Sequence, residues 1–108
     1  MTNPARGPES PHPYQLKLFV AGGTLLSQQA IRNLRRICDA HLPGQVDLEV
    51  VDIYQQPELA AQHQVVAAPT LLKLRPLPAR RIIGDLSATE RVLRGLNLYP
   101  SSEADNVP

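Results

Sequence analysis

The sequence predicts one α/β domain with the element order β-α-β-α-β-β-α. A strand, a helix and a second strand follow one another between residues 16 and 53, which is the pattern of a parallel βαβ unit. The strand-like stretch VVAAPTLLKLRPLPARRIIGDLS contains prolines where a strand would begin or turn, which keeps them out of the hydrogen-bonded ladder. A chain of 108 residues forms one domain at most.

The first three elements are defined by hydrophobic periodicity. LKLFVA alternates as a strand does, and a Gly-Gly pair ends it. The segment that follows has helical spacing, with Thr24 or Ser27 as its N-cap and Pro43-Gly44 after its end. Its predicted apolar stripe is Leu26, Ala30, Ile31, Leu34, Ile37, Cys38 and Leu42. VDLEVVDI is the second strand.

The second half begins with a short helix, for which Pro57 suits the first turn. An Ala-Pro-Thr sequence places Pro69 immediately before the strand LLKL, and Pro76 and Pro78 form a turn before the short strand RRII. The stretch Ser87–Glu90 has the form of a capping box, so a last helix is expected after it.

This element order is that of thioredoxin, in which a cis-proline precedes the corresponding strand, so we expect a cis bond at Pro69.

One local signal disagrees with the last helix. Gly95 lies inside it at a cost of about 1 kcal/mol relative to Ala, and RRIIGDL and LRGLNLY are both acceptable strands by composition. The C-terminal half therefore has two plausible assignments, and such conflicts usually mark functional or strained sites.

Composition excludes several function classes. The net charge of +1, without a basic block or a Trp, predicts neither a nucleic-acid nor a membrane partner. The apolar runs are too short to span a bilayer, residues 1–13 lack the apolar core of a secretion signal, and one cysteine fits a reducing compartment. We therefore expect a cytoplasmic protein with a disordered arm at 1–13, a domain at 14–99 and a flexible tail at 100–108.

The residues offer little chemistry. The start of the first long helix has no cysteine, and Cys38 falls late on its apolar stripe, so dithiol redox catalysis is excluded. Ser27 could bind a glutathione thiolate, although an N-cap role is the simpler interpretation. The three histidines are dispersed and predict no metal site. Arg80 and Arg81 beside the proline turn favour a solvated strand edge over an anion or partner site. We expect no enzyme and no cofactor.

The chain resembles the KaiB family of small clock proteins. The matching segments are LKLFVAGGT, VVDIYQQPELA, AAPTLLKLRPLPARRIIGDLS and ERVLRGLNL, in the expected order and spacing. The resemblance implies a thioredoxin-like N-terminal half and a metamorphic C-terminal half. One state is the KaiB ground state, typically a tetramer; the other is a thioredoxin-like fold-switched monomer that binds a KaiC-type ATPase. It also implies sequestration of a KaiA-like protein and competition with a clock histidine kinase. A dimer or a monomer stays open as the resting state.

The resemblance assigns fold-switch roles to five residues, of which Asn97 departs from the family's usual Asp. They are Pro69, Pro76, Pro78, Gly95 and Asn97. Positions that face KaiC are often basic in the family but correspond here to Glu49 and Gln64, with Asp47 nearby. Together with Arg80 and Arg81 these residues are the candidate partner contacts. The altered charges predict a divergent paralogue with its own ATPase. A stress-response or chaperone role outside a clock, and a glutathione-binding enzyme, are the alternatives.

Overall fold

The computed structural model describes residues 12–98. Its strands are β1 (Tyr14–Val20), β2 (Val46–Asp52), β3 (Thr70–Arg75) and β4 (Arg80–Ile83), and its helices are α1 (Leu25–His41), α2 (Pro57–Gln62) and α3 (Thr89–Gly95). Their succession confirms the predicted order β-α-β-α-β-β-α. Of the arm predicted at 1–13 only positions 12 and 13 are described, and the tail predicted at 100–108 lies outside the described residues.

The strands form one four-stranded sheet in the order β2-β1-β3-β4. β1 and β2 are parallel, as a βαβ unit requires, and β3 is antiparallel to both β1 and β4. The turn from residue 76 to 79 connects β3 to β4, so the three prolines at 69, 76 and 78 all lie outside the strands. Strand propensity and proline avoidance therefore agree in this part of the chain.

The helices bury opposite faces of the sheet. On one face, side chains of α1 and α3 pack on alternate strand residues in a core that includes Leu16, Leu18 and Leu71. On the other, α2 covers a smaller cluster around Phe19, with Val51 and Leu72. We call these the two-helix face and the α2 face. Because α2 has only six residues, it leaves much of the α2 face open.

α1 begins where Thr24 accepts a hydrogen bond from the Ser27 N–H, so Thr24 is its cap. The prediction that Leu26 belongs to the buried stripe is wrong, because its side chain is 53% exposed. Ser27 is buried in its place, and its Oγ accepts a hydrogen bond from the Ala21 N–H at 2.9 Å. The short polar side chain satisfies the N–H of the residue just after β1, so Ser27 and not Leu26 begins the buried stripe of α1.

α3 does not use the predicted capping box. Its N-cap residue is Ala88, one position later than the box requires, and no side chain caps the helix. The Ser87 N–H instead donates to the Asp85 carboxylate at 3.0 Å. Hydrogen bonds from the hydroxyl and backbone of Ser87 hold the pKa of Asp85 below its usual range. This local turn satisfies Ser87 before the helix begins.

Candidate functional site

The acidic partner candidates lie on β2, at an edge of the sheet. Glu49 is opposite Lys17 in the parallel register, and their side chains form an ion pair. The same row continues across the α2 face through Leu72 to Arg81 on the other edge. Asp47 is exposed two residues before Glu49 and makes no ion pair within residues 12–98. Asp47 is therefore the more available of the two negative charges.

Gln64 and Arg81 are in direct contact. The Arg81 guanidinium donates to the carbonyl oxygens of His63 at 2.8 Å and Gln64 at 3.2 Å, which receive no helical partner at the end of α2. Gln64 has a left-handed φ of 57° and is exposed. Arg81 thus ties β4 to the loop that carries Gln64. Arg80 points away from this contact and lies near Lys73, whose pKa is lowered by burial and secondarily by the charge of Arg80.

One end of the sheet carries most of the exposed large apolar side chains of the described chain. This apolar end consists of Leu25, Leu26, Tyr54, Val66 and Ile83. The first two begin α1 just beyond β1, and Tyr54 follows β2. Val66 precedes β3, and Ile83 ends β4. Because β3 runs antiparallel to its neighbours, all five lie at the same end of the strands. Leu77 is the remaining one, in the turn at the opposite end. An exposed apolar cluster of this kind is typical of an interaction surface.

Sequence reasoning did not identify the apolar end as a surface. Leu26 was expected inside, and Leu25, Tyr54 and Val66 had no pattern that distinguished them from core residues. Val66 is 94% exposed and Tyr54 is 72% exposed. The available signal was that all of these residues except Ile83 fall in or beside loops predicted to meet at one edge of a βαβ-based sheet.

The three prolines for which the resemblance implies a fold-switch role follow cis peptide bonds. The bonds are Ala68–Pro69, Arg75–Pro76 and Leu77–Pro78. Pro69 is buried and its carbonyl accepts a hydrogen bond from the Gly84 N–H at 3.0 Å, which joins the start of β3 to the end of β4. The other two prolines are exposed in the turn beside the apolar Leu77.

Gly95 has a packing reason to be glycine. A Cβ added there would collide with Cδ1 of Ile82 and lie 3.1 Å from its Cγ1. α3 can approach β4 this closely only because residue 95 has no side chain. The lower helix propensity of Gly95 is therefore offset by the close packing of α3 on β4 that it allows.

Asn97 ends α3. It has a left-handed φ of 62°, its N–H donates to the Arg94 carbonyl at 3.0 Å, and the Leu98 N–H donates to the Leu93 carbonyl at 2.7 Å. This pair of bonds is a Schellman motif, for which Asn is a favoured residue after Gly. An Asp at this position would place a negative charge beside the carbonyls of the helix C-terminus, which is unfavourable.

The two side chains considered for thiol or glutathione chemistry are both buried. The Ser27 hydroxyl is fully buried and bonded to the Ala21 N–H, so it cannot meet a glutathione thiolate. Burial raises the pKa of the Cys38 thiol to about 11, with Asp39 adding to the shift, which suppresses its thiolate. Between residues 12 and 98 no three His, Cys, Asp or Glu side chains are grouped as metal ligands would be. Nor does that part of the chain contain a helix of the length and apolarity needed to cross a bilayer.

Comparisons with known proteins agree on one family. The family model of the KaiB domain matches residues 17–98. Circadian clock protein KaiB3 of Synechocystis sp. is 42% identical over 93 residues, covering 86% of this chain and 91% of the relative. Circadian clock oscillator protein KaiB of Parasynechococcus marenigrum is 48% identical over 93 residues, covering 86% and 89%.

Solved structures of similar shape share the thioredoxin-like fold. The N-terminal domain of Synechococcus elongatus SasA superposes with a TM-score of 0.68 at 23% identity, covering 94% of this chain and 92% of that domain. Chloroplastic thioredoxin z superposes with a TM-score of 0.68 at 19% identity, covering 85% and 83%. At these identities the likeness concerns the fold alone.

Proposed function

The chain belongs to the KaiB family of circadian clock proteins, and from that premise we propose that it is a non-enzymatic regulator that binds a KaiC-type ATPase. The observation that carries the proposal is the apolar end, which presents five large exposed side chains at one end of the sheet. Through this contact the protein modulates the ATPase's phosphorylation cycle and output signalling. It acts in the cytoplasm.

Tyr54 is the proposed anchor of the contact. Tyrosine is enriched at the centres of protein interfaces because it buries a large rigid surface while its hydroxyl keeps a hydrogen bond. At 72% exposure Tyr54 has most of that surface available. Gln64 and Arg81 lie next to the apolar end and supply polar contacts at its rim.

Asp47 and Glu49 adjust which ATPase is chosen. The often-basic family positions correspond here to Glu49 and Gln64, and Asp47 lies two residues before Glu49, so a matching partner surface carries more positive charge. The Lys17 ion pair offsets Glu49, which leaves Asp47 as the stronger determinant. The reversal of charge supports a divergent paralogue with an ATPase of its own.

We further propose that the thioredoxin-like conformation is the binding form and that it exchanges with a ground state, a tetramer, in which the C-terminal half folds differently. The conflict at Gly95 and the helix end at Asn97 support this, since both residues adjust the stability of α3 by amounts near 1 kcal/mol. If only a fraction of the protein is competent, the apparent Kd rises by the inverse of that fraction. Sequestration of a KaiA-like protein and competition with a clock histidine kinase follow from the same bound state.

Size-exclusion chromatography with light scattering, on the protein alone and after incubation with KaiC-type hexamers and ATP, tests the proposal. We expect a free tetramer and a slowly formed complex that carries monomers. Tyr54→Ala should weaken binding by about thirtyfold, the effect of a typical interface hot spot. Leu77→Ala, at the opposite end and equally exposed, is the matched control and should bind as the unmodified protein does.

Two outcomes contradict the proposal. The first is a stable monomer that binds no KaiC-type ATPase, in particular if it protects unfolded clients from aggregation, which would favour the stress-response or chaperone role. The second is equal loss of binding in Tyr54→Ala and Leu77→Ala, which would place the contact elsewhere.

A further inference from the structure

One part of the apolar end is carried by a loop. The α2–β3 loop comprises residues 63–69 and contains Val66, which is 94% exposed. The preceding side chain, Val65, packs against the cluster around Phe19. The outward direction of Val66 therefore depends on the backbone that turns Val65 inward.

The α2–β3 loop is attached to β4 at both of its ends. At its start the Arg81 guanidinium donates to the carbonyl oxygens of His63 at 2.8 Å and Gln64 at 3.2 Å. At its end the Gly84 N–H donates to the Pro69 carbonyl oxygen at 3.0 Å. Both donors belong to the C-terminal half of the chain, so the path of the loop depends on where β4 lies.

Gln64 has a backbone conformation that suits glycine better. Its φ is 57°, its N–H donates to the Ala61 carbonyl at 3.0 Å, and the Val65 N–H donates to the Ala60 carbonyl at 2.9 Å. These bonds form a Schellman motif, in which glycine is usual at this position because a Cβ disfavours the left-handed region. The Arg81 guanidinium offsets this cost, because it fixes the Gln64 carbonyl and places a positive charge at the C-terminus of α2.

We propose that Arg81 is a positioning residue for partner binding, which holds Gln64 in the left-handed conformation and thereby directs Val66 outward at the apolar end. The guanidinium reaches the loop because β4 pairs with β3, with Arg81 opposite Leu72 on the α2 face. The contact surface is therefore complete when the C-terminal half is folded in this way. The inference rests on the proposed function and deepens it, since it gives Arg81 an indirect role besides its place at the rim.

Amide hydrogen exchange, measured by NMR on the isolated protein, tests the positioning role. The N–H groups of Gln64 and Val65 are protected while the Schellman motif is closed. Arg81→Gln should make both exchange about tenfold or more faster, the effect of losing a charged hydrogen bond. Arg80→Gln is the matched control, because it removes the same charge from β4 while consecutive strand residues lie on opposite faces of the sheet. It should change the exchange by less than about twofold, since screening weakens a charge that makes no contact with the loop.

Gln64→Gly separates positioning from general stability. Because glycine adopts the left-handed conformation without strain, the loop then depends less on the guanidinium. In this background Arg81→Gln should accelerate the exchange of the Val65 N–H by less than about threefold, because the two sites are coupled. Equal acceleration in the two backgrounds would overturn the proposal, and so would a Val65 N–H that exchanges freely in the unmodified protein.

Binding to a KaiC-type ATPase gives the second readout. Arg81→Gln should weaken binding about tenfold in the otherwise unmodified chain and less than about threefold beside Gln64→Gly. Equal weakening in both would mean that Arg81 contacts the ATPase directly, which contradicts the positioning role. The exchange experiment needs no ATPase, so a failure of the proposed function leaves its result intact.

Discussion

The contact between Gly95 and Ile82 permits a quantitative test of the fold. Gly95 is the last residue of α3 and not an interior one as the sequence predicted, so Gly95→Ala gains at most the propensity of an interior position, about 1 kcal/mol. The new Cβ, however, collides with Cδ1 of Ile82, and overpacking of this kind costs about 1–3 kcal/mol. Gly95→Ala alone should therefore lower the free energy of unfolding by between zero and about 3 kcal/mol.

The collision disappears if the colliding atom is removed. Ile82→Val deletes Cδ1 and costs about 0.5–1.5 kcal/mol by itself. In the double variant the propensity gain remains without the clash, and the nearest remaining contact is the 3.1 Å approach to Cγ1. We expect a favourable coupling energy of about 1–2 kcal/mol between the two substitutions, within the range for residues in contact.

Urea unfolding followed by circular dichroism, at one protein concentration for all variants, measures this cycle. Gly23→Ala provides the control, since a Cβ there would meet only the Gln28 side chain at 3.7 Å. Its combination with Ile82→Val should be additive. If Gly95→Ala and Ile82→Val also add to within about 0.5 kcal/mol, α3 does not pack on β4 as described and the reasoning fails.

Three further predictions concern single residues, each measured by the same urea unfolding. Asn97→Asp should lower the stability of this fold by about 0.3–1 kcal/mol near neutral pH, and by less once the carboxylate is protonated. Asn97→Gly should be neutral or stabilising. Equal effects of Asn97→Asp at both pH values would exclude the helix-dipole explanation. The pKa of Asp85 is lowered by Ser87. Its contribution to the free energy of unfolding is therefore complete above its unfolded pKa and is lost as the pH falls through the lower folded value. Asp85→Asn should destabilise the protein at neutral pH and match the unmodified protein in strong acid. Ser27→Ala should cost about 1–3 kcal/mol because the Ala21 N–H is left buried and unpaired, and a loss below about 0.5 kcal/mol would mean that water replaces the hydroxyl.

Much of the fold was accessible from the sequence. Alternation in LKLFVA and VDLEVVDI and helical spacing between them predicted β1, α1 and β2, and the structure has all three with the strands in parallel. The proline positions predicted the breaks around β3 and β4. These signals are local, because backbone geometry and hydrogen-bond periodicity depend on neighbouring residues.

The errors arose where a polar group a few residues away competes with the pattern of apolar periodicity and capping. Ser87 matched a capping box, but the Asp85 carboxylate takes its N–H and α3 begins later. Leu26 matched the helical stripe, yet Ser27 is buried instead because a backbone donor at the end of β1 needs an acceptor. Neither competitor can be recognised from periodicity.

The sequence by itself determined the order of the elements, the βαβ unit and the family, since each follows from local pattern or from residues matched in register along the chain. Only the tertiary structure decided which apolar residues stay exposed at the apolar end, why residue 95 is glycine, and that Lys73 is buried beside Arg80. Burial and charge balance depend on what packs against a side chain from elsewhere in the chain. Those neighbours exist only once the sheet and its helices have assembled.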